Sequence, residues 1–148
     1  MDAFDADVLI YAAAPEHALG RRVARLFRDA DGLAGSEPRA AGVGSVLLVP
    51  ELLAKPMRDG REDEVDALSF FLARLELLPI DRATADLSAV LAVAYALKPI
   101  DAAHLAAAVS VGADRFITNN RRDFDRARIR EIDVTYPDDL PPSPARRR

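Results

Sequence analysis

Apolar residues run through this chain in two alternating rhythms. Short unbroken runs at Met1–Asp5, Ser45–Val49, Leu77–Ile80, Arg115–Thr118 and Ile132–Thr135 predict strands, because a strand covered on both faces has no reason to alternate. Between them, apolar positions return every three or four residues, the period of a helix with one buried face. Val8–Ala14 is the first such segment. In His17–Asp29 the aligned residues are Leu19, Val23, Leu26 and Phe27; in Arg61–Leu75 they are Val65, Leu68, Leu72 and Leu75. Ala83–Leu97 aligns Leu87, Val90, Leu91 and Ala94, and Pro99 separates it from a further helix over Asp101–Val111 that ends at Gly112. Pro50-Glu51 fits a helix start, and Arg121–Arg126 reads as a short helix. Asp31–Gly44 holds four glycines and a proline and reads as loop. Strands alternating with helices predict an α/β/α sandwich around a mostly parallel central sheet of four or five strands. Residues 1–136 form one domain in this reading, and Pro137–Arg148, with four prolines and three terminal arginines, is a disordered tail.

Composition narrows the function. A chain of 148 residues is one domain by size and buries roughly 70% of its unfolded surface without staples. The absence of cysteine excludes disulfides, zinc–thiolate sites and a thiol nucleophile. The longest apolar stretches, Leu87–Leu97 and Ala102–Ala113, fall short of the ~18 residues of a membrane span, and no basic-then-apolar leader opens the chain, so a cytoplasmic location is expected. The net charge of −4 argues against bulk electrostatic attraction to nucleic acid. Its distribution modifies that. Of 20 basic residues only Lys55 and Lys98 are lysines, and six arginines fall between Arg115 and Arg130. A guanidinium fork matches phosphate. A GC-rich genome explains the global arginine excess equally well, so only the local cluster bears on phosphate.

Four acids stand beside apolar runs rather than in solvated charge clusters: Asp5, Glu51, Asp101 and Asp123. In a parallel sheet the carboxyl ends of the strands share one edge, where these residues can meet. Carboxylates ~4 Å apart repel by about 4 kcal/mol per pair at an effective dielectric of 20. Such a cluster requires raised pKa values or a divalent cation. Hard cations such as Mg²⁺ or Mn²⁺ prefer oxygen ligands, activate water and stabilise phosphodiester charge. Structural readings compete. Asp7 reads as the cap of the first helix, Asp101 and Glu51 suit first helical turns, and Asp123 suits a solvated acid among arginines. His104, three residues after Asp101, reads as a packing or hydrogen-bonding residue, and His17 as surface.

The segments DADVLIYA (5–12), SVLLVPELL (45–53), PIDAAHLAAA (99–108) and GADRFITNNRRDF (112–124) resemble, in order, the motifs of PIN-domain ribonucleases, and most of all the VapC-type toxins of toxin–antitoxin pairs. The resemblance covers roughly residues 1–136. It implies a metal-dependent endoribonuclease using Mg²⁺ or Mn²⁺, an RNA substrate, a cognate antitoxin and a homodimer. Asp5 matches the first acid, Glu51 the second and Asp101 the third. Asp123 is assigned as the fourth, because Asn120 stands where many members carry an acid. Thr118 and Asn120 are expected to support Asp123, and Asp7 stands where the family often has Asn. Arg115, Arg121 and Arg122 are expected at the rim of the acidic pocket, on RNA. The antitoxin is expected in an apolar groove between His17–Asp29 and Arg61–Leu75. Two alternatives remain open: a haloacid-dehalogenase-like phosphatase, suggested by Asp5-Ala6-Asp7 and the Asp138-Asp139 pair but lacking a Lys after Thr118, and an inactive PIN-like binding module.

Overall fold

Every strand of the sheet is short, parallel to its neighbours and sealed between helices. The computed structural model describes residues 1–31 and 39–142. In chain order its elements are β1 (Asp2–Phe4), α1 (Ala6–Ala13), α2 (Ala18–Ala30), β2 (Gly42–Ser45), α3 (Leu48–Arg58), α4 (Glu62–Leu72), β3 (Leu75–Leu78), α5 (Arg82–Tyr95), α6 (Pro99–Ser110), β4 (Arg115–Ile117) and β5 (Asp133–Thr135). The five strands lie in the order β3-β2-β1-β4-β5, and each neighbouring pair is parallel. Parallel strands need long crossovers, which the helices supply.

Successive strand residues face opposite sides of the sheet, and each side has its own core. Phe4 and Ile117 join Leu9, Val23, Phe27, Leu48, Leu68 and Phe71. Ala3 and Phe116 join Val43, Leu91, Leu105, Phe124 and Val134 on the other. The chain steps outward from β1 to β3, then returns to lay β4 and β5 on the far side of β1. The direction of winding therefore reverses between β1 and β4. The carboxyl ends of strands at such a reversal leave a crevice between diverging loops.

Several boundaries differ from the sequence expectation. The second strand is Gly42–Ser45, earlier than Ser45–Val49, and it includes two glycines assigned to the loop. Close approach explains Gly42: a Cβ there would strike the backbone carbonyl of Asp2 on the adjacent central strand. Val90 is 63% exposed, so the inward face of α5 rests on Leu91 instead. Arg121–Arg126 is a series of turns, not a helix. Asp5, not Asp7, caps α1 and accepts from the Ala6 N–H. The segment Pro137–Leu140, assigned to the tail, packs on the domain. Pro137–Asp139 forms a 3-10 turn, and Leu140 is buried. Arg22 of α2 donates to the carbonyls of Asp138 (2.8 Å) and Leu140 (3.0 Å), which fixes this segment on the domain. Composition alone missed it because the prolines obscured one apolar residue with a pocket to fill. Residues 32–38 of the expected loop and 143–148 of the expected tail lie outside the described residues. Among the described residues, no single helix is long and apolar enough to cross a membrane.

Candidate active site

β1 and β4 deliver their last residues to the same point. Asp5 follows β1 directly, and its N–H donates to the Ile117 carbonyl at 3.0 Å, extending the ladder by one rung. Its buried carboxylate is held at both oxygens: Oδ1 accepts from the Ala6 N–H and Oδ2 from the Thr118 hydroxyl, each at 2.8 Å. Thr118 Oγ1 in turn accepts from the Asn120 N–H at 3.1 Å. Asn120 then closes onto Asp123 twice. Its Nδ2 donates to Asp123 Oδ2 (3.0 Å), and its Oδ1 accepts from the Asp123 N–H (3.2 Å). One unbroken relay thus runs from Asp5 to Asp123. Asn120 and Asp123 are partners in it rather than alternatives.

Helices bring the remaining acids. Asp7 lies in the first turn of α1, and its Oδ2 accepts from the Asn119 N–H at 3.0 Å. Asp101 lies in the first turn of α6, where Pro99 occupies the helix start. Glu51 lies in the first turn of α3. Its Oε2 meets Nε2 of His104, whose side chain is fully buried on α6.

The electrostatics are those of negative charges crowded into a poorly solvated space. Burial pushes Asp5 up from the usual 3.8 to about 7; the charge of Asp7 adds to this, and the Thr118 hydroxyl and His104 oppose it. Asp7 is raised by burial, against the pull of the Asn119 and Val8 N–H groups, and further by Asp101 and Glu51. Asp101 is raised by burial, then by Glu51 and Asp123, with His104 and Lys98 opposing. The acids therefore feel one another across a shared space. Among the described residues, the buried side-chain polar atoms without a hydrogen-bond partner are Asp7 Oδ1, Asn119 Oδ1 and His104 Nδ1. All three belong to this cluster. Unpaired buried polar atoms are rare in folded proteins and gather where something else is meant to bind.

The donor set fits a hard divalent cation in kind: carboxylate oxygens, one of them unpartnered, with ionisation penalised by repulsion. It is not a finished cage. Among the described residues, no three His, Asp or Glu side chains are closed up far enough to hold an ion. An open cleft lined by Pro56, Met57, Gly60, Arg61, Val65 and Asp66 lies at the turn from α3 to α4 and contains none of these acids.

The three arginines expected at the rim separate. Arg115 opens β4, in register with Asp2, and forms a forked pair with it at 2.7 and 3.1 Å. That places it at the amino edge of the sheet, opposite Asp5, so it is not a rim residue. Arg121 is on the correct side but committed. It bonds Asp138 at 2.6 Å and lies over the Tyr136 ring at 4.4 Å. Arg122, next to Asp123, is exposed and has no ion pair among the described residues. Asp138 and Asp139 pair with Arg121 and Arg126, not with Asp5. One participant, Asn119, carried no clear sequence signal. Asn119 acts through its backbone, which no side-chain pattern reports, whereas the three-residue spacing from Asp101 already placed His104 on the right face.

A family model described as PIN domain matches residues 3–129. Solved structures similar to this chain include two bacterial ones. A toxin–antitoxin complex from Klebsiella pneumoniae aligns at TM-score 0.68 and 21% identity, covering 93% of this chain and 98% of the other. VapBC2 from Rickettsia felis, bound to a DNA fragment from their promoter, aligns at TM-score 0.66 and 16% identity, covering 91% and 97%. A comparison with curated protein sequences gave no significant match.

Proposed function

The chain belongs to the PIN-domain family, and on that premise we propose that it is a divalent-cation-dependent endoribonuclease, hydrolysing RNA phosphodiester bonds at the cluster of Asp5, Glu51, Asp101 and Asp123. The observation that carries this reading is the coincidence of mutually raised acids with orphaned buried polar atoms at the β1/β4 reversal. Mg²⁺ or Mn²⁺, held by these four residues with Asp7 adjacent, would activate water and stabilise the charge that develops on the phosphate.

The chain's own groups prepare that step. The Thr118 hydroxyl and the Ala6 N–H fix the Asp5 carboxylate in one orientation. Asn120 does the same for Asp123. Exposed Arg122 is the cation best placed to meet an RNA phosphate, since Arg121 already has a partner. The presence of Asp5, Glu51 and Asp101, the three clear matches, weighs against an inactive binding module. The haloacid-dehalogenase-like alternative is set aside, because Asp138 and Asp139 are engaged elsewhere.

One of the similar structures is a toxin–antitoxin complex, and another is VapBC2 bound to a fragment of their promoter DNA. We extend this to the present chain as the toxin of such a pair, cytoplasmic and homodimeric, restrained by a cognate antitoxin. Purified protein should cleave RNA with Mg²⁺ or Mn²⁺ and stop when EDTA is added. Asp101→Ala should lower the rate by at least about 100-fold while remaining folded. Cleavage that persists in EDTA defeats the metal reading. Equal growth of cells expressing the active chain with and without its neighbouring gene defeats the toxin reading alone.

A further inference from the structure

His104 occupies a position that packing does not require. Ala102–Ala108 is a continuous buried stretch of α6, and every other member of it is alanine or leucine. The imidazole is fully buried, its Nδ1 has no partner among the described residues, and its Nε2 meets Glu51 Oε2. A leucine would fill comparable space without leaving a ring nitrogen unsatisfied, so the histidine worsens the core for the sake of that one contact.

Glu51 is the acid that most needs a partner. The hydrogen-bond relay from Asp5 to Asp123 does not reach it, and Glu51 sits on α3, 53 positions away from His104. Its side chain is 29% exposed and has solvent within reach. Its charge disfavours ionisation of both Asp101 and Asp7, and the repulsion is mutual. A flexible carboxylate under that repulsion swings outward unless something holds it. Resting on the proposed metal-dependent site, we propose that His104 is a positioning residue: its Nε2 tethers Glu51 at the acid cluster so that the carboxylate is already in place when the cation arrives. His104 does not touch the cation. It acts through Glu51 alone.

The test uses full-length His104→Leu, which keeps bulk and loses the donor, and His104→Gln, whose Nε2 can replace it. Two readouts are followed: Mn²⁺ affinity by calorimetry, and the order of the Glu51 side chain by NMR in metal-free protein. His104→Leu should be folded and at least as heat-stable as the parent. It should bind Mn²⁺ about 10-fold more weakly, in the range seen when a ligand loses its supporting hydrogen bond. It should also leave Glu51 mobile, and His104→Gln should recover part of both. The double variant His104→Leu/Glu51→Gln should bind no more weakly than Glu51→Gln alone, because the histidine acts only through the glutamate. Unchanged Mn²⁺ affinity and Glu51 order in His104→Leu overturn the proposal. An equal further loss in the Glu51→Gln background also overturns it, by revealing a general structural role. A parent chain that binds no Mn²⁺, with Asp5→Asn equally silent, defeats the metal reading on which the proposal rests. The Glu51 mobility arm tells that failure from this one.

Discussion

At the scale of residues, the site is built from groups held against their own preference. Asp5 is the clearest case, a buried carboxyl pushed up to about 7. The sign of its effect on stability follows. The folded state holds this proton more tightly than the unfolded chain, so between pH 4 and 7 stability falls as pH rises. Below that window Asp5 is neutral in both states and carries no penalty; above it the penalty is complete. Asp5→Asn should therefore melt higher than the parent in EDTA at pH 7.5. The advantage should shrink as pH is lowered toward 4, and Mn²⁺ should stabilise the parent more than the variant. Thermal melts across pH check it, and a variant less stable than its parent at pH 7.5 contradicts it. The acids themselves were legible in the sequence, because a lone carboxylate abutting an apolar run is conspicuous. The hydrogen bonds that orient them were not. Thr118 to Asp5 spans 113 positions, and most of the remaining bonds use backbone N–H groups that every residue possesses.

At the scale of elements, apolar period found α1, α2, α4, α5 and α6, Pro50-Glu51 marked α3, one strand was misplaced, and the helix expected at Arg121–Arg126 is a series of turns. β2 escaped because its sequence, Gly-Val-Gly-Ser, carries one apolar side chain and two residues that usually mark turns. What selects glycine there is a neighbour the pattern cannot see, the Asp2 carbonyl on β1. Gly42→Ala should consequently destabilise the fold by about 3 kcal/mol, since the obstacle is backbone and cannot rotate away. A shift of the urea midpoint measures it, and a neutral substitution would mean that β1 and β2 are not so closely paired. The same logic covers Gly20. A Cβ there meets the Tyr11 carbonyl, so α1 and α2 cross only because that side chain is missing. Helix lengths were legible because their periodic faces bury against the sheet; helix caps were less so, since Asp5 and Asp7 offer the same side chain two residues apart.

At the scale of the whole molecule, the segment after β5 works as a clasp. The Tyr136 hydroxyl donates to the Phe124 carbonyl at 2.9 Å and accepts from the Arg126 N–H at 3.2 Å. Its ring lies between Arg121 and Arg126, which pair with Asp138 and Asp139, while Arg22 ties the next turn to α2. Tyr136→Phe should cost about 1–2 kcal/mol and speed amide exchange across residues 119–126 while leaving β1 protected; exchange rates read by NMR check this. The placement of β1 has a different consequence, in time rather than in space. β1 is the central strand, yet the partner that completes Asp5 is Thr118, 113 positions further along. A ribosome that has released β1, α1 and even α3 has still not released the hydroxyl that orients the first acid, nor the loop that carries the last one. For an enzyme proposed to cut RNA, the acid cluster would stay incomplete until β4 and the loop after it have emerged.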